Sequence, residues 1–152
     1  MSYTLQAIVG NVDVLVPVAG DLPVVVLPQG KVMIPLGTDV REKAGAIPWL
    51  PLTDDALGAI PEALSALCKK LSANGRVVYL EAELFGGAGT QAMLVAERGE
   101  IIEGPRVDVD AINTALQAIG VAAGAEIDEF AALRLDRHRD TDEWLPGPRE
   151  AR

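Results

Sequence analysis

Glu81 and Glu83 alternate with apolar residues in the stretch from Arg76 to Arg98. At strand spacing they leave the same side of the chain, roughly 7 Å apart. Such a pair can share a proton, ligate Mg²⁺ or Ca²⁺, or divide the roles of acid and base. It can equally be a solvated sheet face, or an acidic surface for a basic partner. Tyr79 and Phe85 belong to the same alternating set. The single histidine, His138, stands between Asp136 and Asp140, with Asp142, Glu143 and Trp144 just beyond. A histidine among carboxylates can form an acid–base pair or ligate a metal. It can also make local hydrogen bonds that dock a chain end. One His and one Cys are too few for the usual zinc ligand sets, so neither a metal nor a cofactor is expected.

A third constellation is the glycine-rich break. Gly86 and Gly87 lead into Ala88-Gly89-Thr90-Gln91-Ala92, and residues 87–92 fit the G-x-G-x-x-A pattern after a strand. In a dinucleotide fold these glycines would bring a helix N-terminus up to a pyrophosphate, with Asp108 near the place of a ribose contact. Two features oppose this. The preceding strand carries Glu81 and Glu83, whereas a central parallel strand is buried on both faces. Gly99 also follows Gly89 too closely for a crossover helix and its loop. A hairpin loop is the simpler reading. The serines, Ser2, Ser65 and Ser72, sit in no nucleophile elbow. Cys68 reads as a small apolar residue on a helix.

The elements that must position these residues follow from periodicity. Tyr3 to Val9 alternates as a first strand. A short helix, or else a strand, follows Asn11 or Asp13, with Val14, Leu15, Val18 and Leu22 on one side. Val24–Leu27 and Val32–Leu36 flank Pro28-Gln29-Gly30-Lys31 as a hairpin. Trp49, between Pro48 and Leu50-Pro51, is extended and expected to cover the core as a lid. Thr53 is an expected N-cap for a short turn to Gly58. A main helix runs from near Pro61 to Asn74-Gly75, with Leu64, Leu67 and Leu71 on its apolar side. Val78, Leu80, Ala82 and Leu84 form an apolar strand face opposite Tyr79, Glu81, Glu83 and Phe85, which is expected to be the less buried face. Residues 90–97 resume the strand, and Arg98-Gly99-Glu100 turns into a shorter strand at Ile101-Ile102. Gly104-Pro105 ends the sheet pattern. Asp108 or Asp110 caps a helix closed by Gly120, and Glu126 to Leu135 forms another with Ile127, Phe130 and Leu133 as its apolar side.

The expected architecture is therefore α+β: one domain over residues 1–145, a largely antiparallel sheet with a central hairpin 77–97, and helices packed on one face. Residues 146–152 form a flexible tail anchored by Trp144-Leu145. A chain of 152 residues that is 49% apolar can bury a core without metal or disulfide. Its net charge of −9 repels phosphate backbones, excluding nucleic acid as the expected partner and favouring a basic protein. No apolar run is long enough to span a membrane, and the first residues carry no secretory pattern, so a cytoplasmic protein is expected.

Residues 81–91, Glu-Ala-Glu-Leu-Phe-Gly-Gly-Ala-Gly-Thr-Gln, together with Asp128-Glu129-Phe130 and the run from Arg137 to Trp144, resemble a family of small bacterial proteins to which no activity is attached. The resemblance covers mainly the second half of the chain. Size, acidity and α+β pattern are similar in style to immunity proteins, which neutralise bacterial toxins. The expected function is a non-catalytic protein-binding module, with Tyr79, Glu81, Glu83, Phe85, Gly86, Gly87, Gln91, His138 and Trp144 as candidate contact residues. The alternatives are a small hydrolase or metal-assisted enzyme using Glu81, Glu83 and His138, and a nucleotide site at residues 86–90.

Overall fold

The computed structural model describes residues 2–54, 59–85 and 88–145. Their strands are β1 (Ser2–Asn11), β2 (Val25–Val26), β3 (Lys31–Pro35), β4 (Arg76–Phe85), β5 (Ala88–Glu97) and β6 (Glu100–Val107). They form one antiparallel sheet in the order β2-β3-β1-β4-β5-β6. The α+β class and the central hairpin are as expected from the alternation. β4 and β5 pair from Arg76↔Glu97 to Phe85↔Ala88.

The hairpin explains the glycine motif. The chain after Gly89 continues as a strand, so no helix N-terminus faces a phosphate there. Gly89 has φ +155, and a Cβ on it would fall on the Glu83 carbonyl oxygen. Glycine is needed because two backbones meet at the hairpin end. Gly86 and Gly87 lie outside the described residues.

The sheet is covered on both faces, which corrects the expectation of helices on one. On one side, α1 (Val12–Ala19), α2 (Thr38–Lys43), α3 (Pro51–Asp54) and α4 (Glu62–Leu71) pack on Ile8, Val77, Tyr79, Leu94 and Ala96. On the other, α5 (Ala111–Ala118) and the segment around α6 (Glu129–Ala132) pack on Leu5, Ala7, Val9, Leu80, Ala82, Met93 and Val95. The physical reason is visible in β5, whose run Ala92-Met93-Leu94-Val95-Ala96 has no polar side and is buried throughout. A strand of that kind needs a layer above and below it. Each fully buried Leu or Ile in these layers contributes roughly 1.5–3 kcal/mol of transfer free energy.

Several boundaries also differ. β6 runs through Gly104-Pro105 to Val107, as an edge strand with register shifts against β5, instead of stopping at Ile102. An edge position tolerates the missing proline N–H. Thr53 lies inside α3 and is not its cap; the remainder of the expected turn, to Gly58, lies outside the described residues. α4 starts after Pro61, as expected. α6 is shorter than the expected helix, capped by the Asp128 carboxylate accepting from Ala131 N at 2.9 Å, and Ile127 is 94% exposed. Trp49 is not a lid, because it stays outside both cores with the Arg41 guanidinium 4.9 Å from its ring centroid.

The end of the described chain completes the sheet edge. β3 pairs with β1 only from Ala7 to Asn11. Beyond that point Thr4 N donates to Arg139 O at 2.7 Å and Gln6 N to Thr141 Oγ1 at 3.0 Å. Trp144 is buried in the layer with α5, which anchors this segment. Residues 146–152 lie outside the described residues. Replacement Gly89→Ala is expected to cost more than about 2 kcal/mol, a large effect for one methyl group, through clash and backbone strain. A urea midpoint unchanged from the parent chain would refute this account of the motif.

Candidate functional site

The densest polar constellation lies beneath α3. Gln6 of β1 stands directly opposite Glu81 of β4, and Tyr79 lies two residues before Glu81 on the same face. Strand alternation therefore brings three polar side chains together under a helical layer. All three are buried: Gln6 and Glu81 are 0% exposed and Tyr79 1%. This overturns the expectation of a less buried acidic face at Tyr79 and Glu81, while Glu83 and Phe85 farther along the strand do lie on its less buried part.

Burial obliges each polar atom to find a partner. Tyr79 Oη donates to Glu81 Oε1 at 2.6 Å. Leu52 N donates to both carboxylate oxygens, at 3.0 and 3.1 Å, and Thr53 N to Oε2 at 2.8 Å. Gln6 Nε2 donates to Tyr79 Oη and to Pro48 O, both at 3.0 Å, while its Oε1 accepts from Leu50 N at 3.3 Å. The cluster thus grips the backbone from Pro48 to Thr53. Leu50, within that grip, is fully buried with φ +46, a conformation that non-glycine residues seldom adopt. The hydrogen bonds from Gln6 and Glu81 on either side hold it there.

Electrostatics agree with a structural role. Burial pushes the Glu81 carboxyl above its ordinary value of 4.5; the hydrogen bonds from Tyr79, Leu52 and Thr53 oppose this without cancelling it. Burial first, then the neighbouring Glu81 charge, pushes the Tyr79 hydroxyl well up, so it remains a donor. Cys68, buried in α4, has its thiol pushed up to about 12 by burial and is no nucleophile.

The other expected site residues go elsewhere. Glu83 is half-buried, opposite Thr4 and Thr90, nearer the hairpin end. Phe85 ends β4 and is 61% exposed. His138 packs edge-on against Trp144, with ring centroids 4.7 Å apart. Trp144 belongs to the core on the sheet face opposite Tyr79. Glu81 and His138 are therefore not brought together, and no group of three or more His, Cys, Asp or Glu among the described residues could hold a metal ion. The histidine segment docks the chain end instead: Thr4 Oγ1 donates to Asp140 Oδ1 at 2.6 Å, and Arg139 N and Asp140 N donate to Glu143 Oε1.

Gln91 lies opposite Ala82 on the face carrying α5, where its Oε1 accepts from Ile112 N at 3.0 Å. There the hairpin meets Asn113, Asp128 and Phe130 around a small cavity. The residues that single-strand reasoning missed are Gln6, the one polar side chain between Leu5 and Val9 of β1, and the backbone donors Leu52 and Thr53, which carry no signal of side-chain type.

Comparison with known proteins returns no matching family profile, no matching curated protein and no matching solved structure. Among the described residues no helix is long and apolar enough to cross a membrane.

Two outcomes are expected. Tyr79→Phe leaves Gln6 Nε2 and Glu81 each short of a partner and lowers stability by about 1–3 kcal/mol, read by chemical denaturation; an unchanged midpoint would show that the cluster does not hold the loop. In the second, pH is the variable. Between 4.5 and its raised folded value, Glu81 keeps in the folded state a proton that the unfolded chain has released. Its contribution is therefore fully present below 4.5 and declines as pH rises through that window. Glu81→Gln, which cannot titrate, is expected to lose that decline in a series of urea midpoints against pH.

Proposed function

We propose that this protein is a non-catalytic module that binds a protein partner of positive charge, in the manner of a toxin-neutralising immunity protein. The observation that carries the reading is the saturation of Glu81. The carboxylate best placed for chemistry is sealed under α3 and engaged by Leu52, Thr53 and Tyr79. A general acid or base needs a proton path to a substrate, and this one faces its own loop. The net charge of −9 gives the exterior a long-range attraction for a basic surface. Trp49, stacked under Arg41 on the loop that the buried cluster holds, is an exposed aromatic and cation pair of the kind that anchors protein interfaces.

Affinity capture from the source cells, followed by reconstitution with the purified partner, tests this. A basic protein is expected to bind in fixed stoichiometry, more weakly as ionic strength rises, and more weakly to Trp49→Ala. Finding no basic partner at low salt, or finding turnover of an ester, phosphoester or glycoside that Glu81→Gln abolishes, would overturn the proposal.

A further inference from the structure

On the sheet face that carries α5 and α6, Leu84, Gln91, Ile112, Asn113, Asp128 and Phe130 line a cavity of about 110 Å³. Residues far apart in the chain meet here: Leu84 and Gln91 flank the hairpin end, while Asp128 and Phe130 open α6. At roughly 30 Å³ per water, the space suits the end of one side chain better than a whole small-molecule ligand.

The walls divide by chemistry. Leu84, Ile112 and Phe130 are apolar, and the Phe130 ring is fixed edge-on by Tyr3 with centroids 5.4 Å apart. The polar side is a preorganised chain of hydrogen bonds. Asn113 Oδ1 accepts from Phe130 N at 2.9 Å and Asn113 Nδ2 donates to Asp128 Oδ2 at 3.2 Å. Asp128 Oδ1 accepts from Ala131 N at 2.9 Å. Among the described residues each carboxylate oxygen accepts one donor, and the half-buried Asp128 has further acceptor sites facing outward. No Lys or Arg lines the cavity, and none pairs with Asp128 among the described residues. A carboxylate at an apolar recess, with no cation on it among the described residues, is complementary to a cation on an aliphatic stem. The charge should be compact. A planar guanidinium fork is wider than an ammonium, and a recess of about 110 Å³ suits the narrower group.

We infer that this cavity receives a lysine side chain of the basic partner, its methylenes against Leu84, Ile112 and Phe130 and its ammonium on Asp128. The inference rests on the partner-binding reading above, but its test does not need the partner. Titration of the full chain with N-acetyl-lysine methylamide, followed by backbone amide NMR, is expected to give saturable shifts at Gln91, Ile112 and Phe130. The neutral analogue N-acetyl-norleucine methylamide should bind at least about tenfold more weakly, the loss of one charge-assisted hydrogen bond. Asp128→Asn should weaken the lysine probe similarly while keeping the α6 cap, because Asn caps about as well as Asp. Absence of saturable shifts at these amides, or norleucine binding as tightly as lysine, would overturn the inference. A captured basic protein that binds Asp128→Asn as tightly as the parent chain would leave the partner reading standing and remove the cavity from it.

Discussion

A carboxylate without solvent is the constraint on which much of this structure turns. Glu81 sits on the central strand pair of a sheet covered on both faces. An ion or acid in that position is tolerated only with hydrogen-bond donors around it. Tyr79 supplies one, and the rest come from the backbone at the start of α3. Meeting this requirement fixes where the loop from Pro48 to Thr53 must run. Gln6 completes the arrangement from the neighbouring strand, using both ends of its amide on the same loop. The start of the four-residue α3 and a left-handed Leu50 are held in place by three side chains of the sheet.

The same logic separates the two halves of the molecule. On the face with α1 to α4, polar groups are turned inward and satisfied internally. On the face with α5 and α6, the polar groups of Asn113 and Asp128 are organised around a small recess, and Asp128 is only half-buried. The first arrangement gives rigidity, the second a place for a ligand group. Residues that look alike in the chain, a carboxylate beside an aromatic in both Tyr79–Glu81 and Asp128–Phe130, thus have opposite uses. The difference lies in what packs above them.

The segment from Arg137 to Trp144 shows how a charged stretch can be structural without a buried core of its own. Its backbone continues the edge of β1 where β3 has ended, and its carboxylates cap the last short helical turn. His138 contributes a ring contact with Trp144 and not a titrating partner for Glu81. An unprotected β1 edge would expose pairing groups to other chains, and this segment covers it.

Local pattern in the amino-acid sequence was enough for the α+β class, the long hairpin of β4 and β5, the N-terminal hairpin, α4 beginning at Pro61 and the helix ahead of Gly120. Each depends on neighbours a few residues apart: period-two or helical spacing, a proline, a glycine. The apolar run Ala92–Ala96, with no polar side, also pointed to a second helical layer, which the alternation of β4 alone obscured. Tertiary structure alone decided that Glu81 is sealed while Asp128 is not, that Gln6 faces Glu81, and that His138 belongs to the opposite layer. Those outcomes depend on which backbone donors arrive from α3 and which strand lies alongside, and contacts across such separations leave no mark on residue spacing. Burial, not residue type, settled what each carboxylate could do.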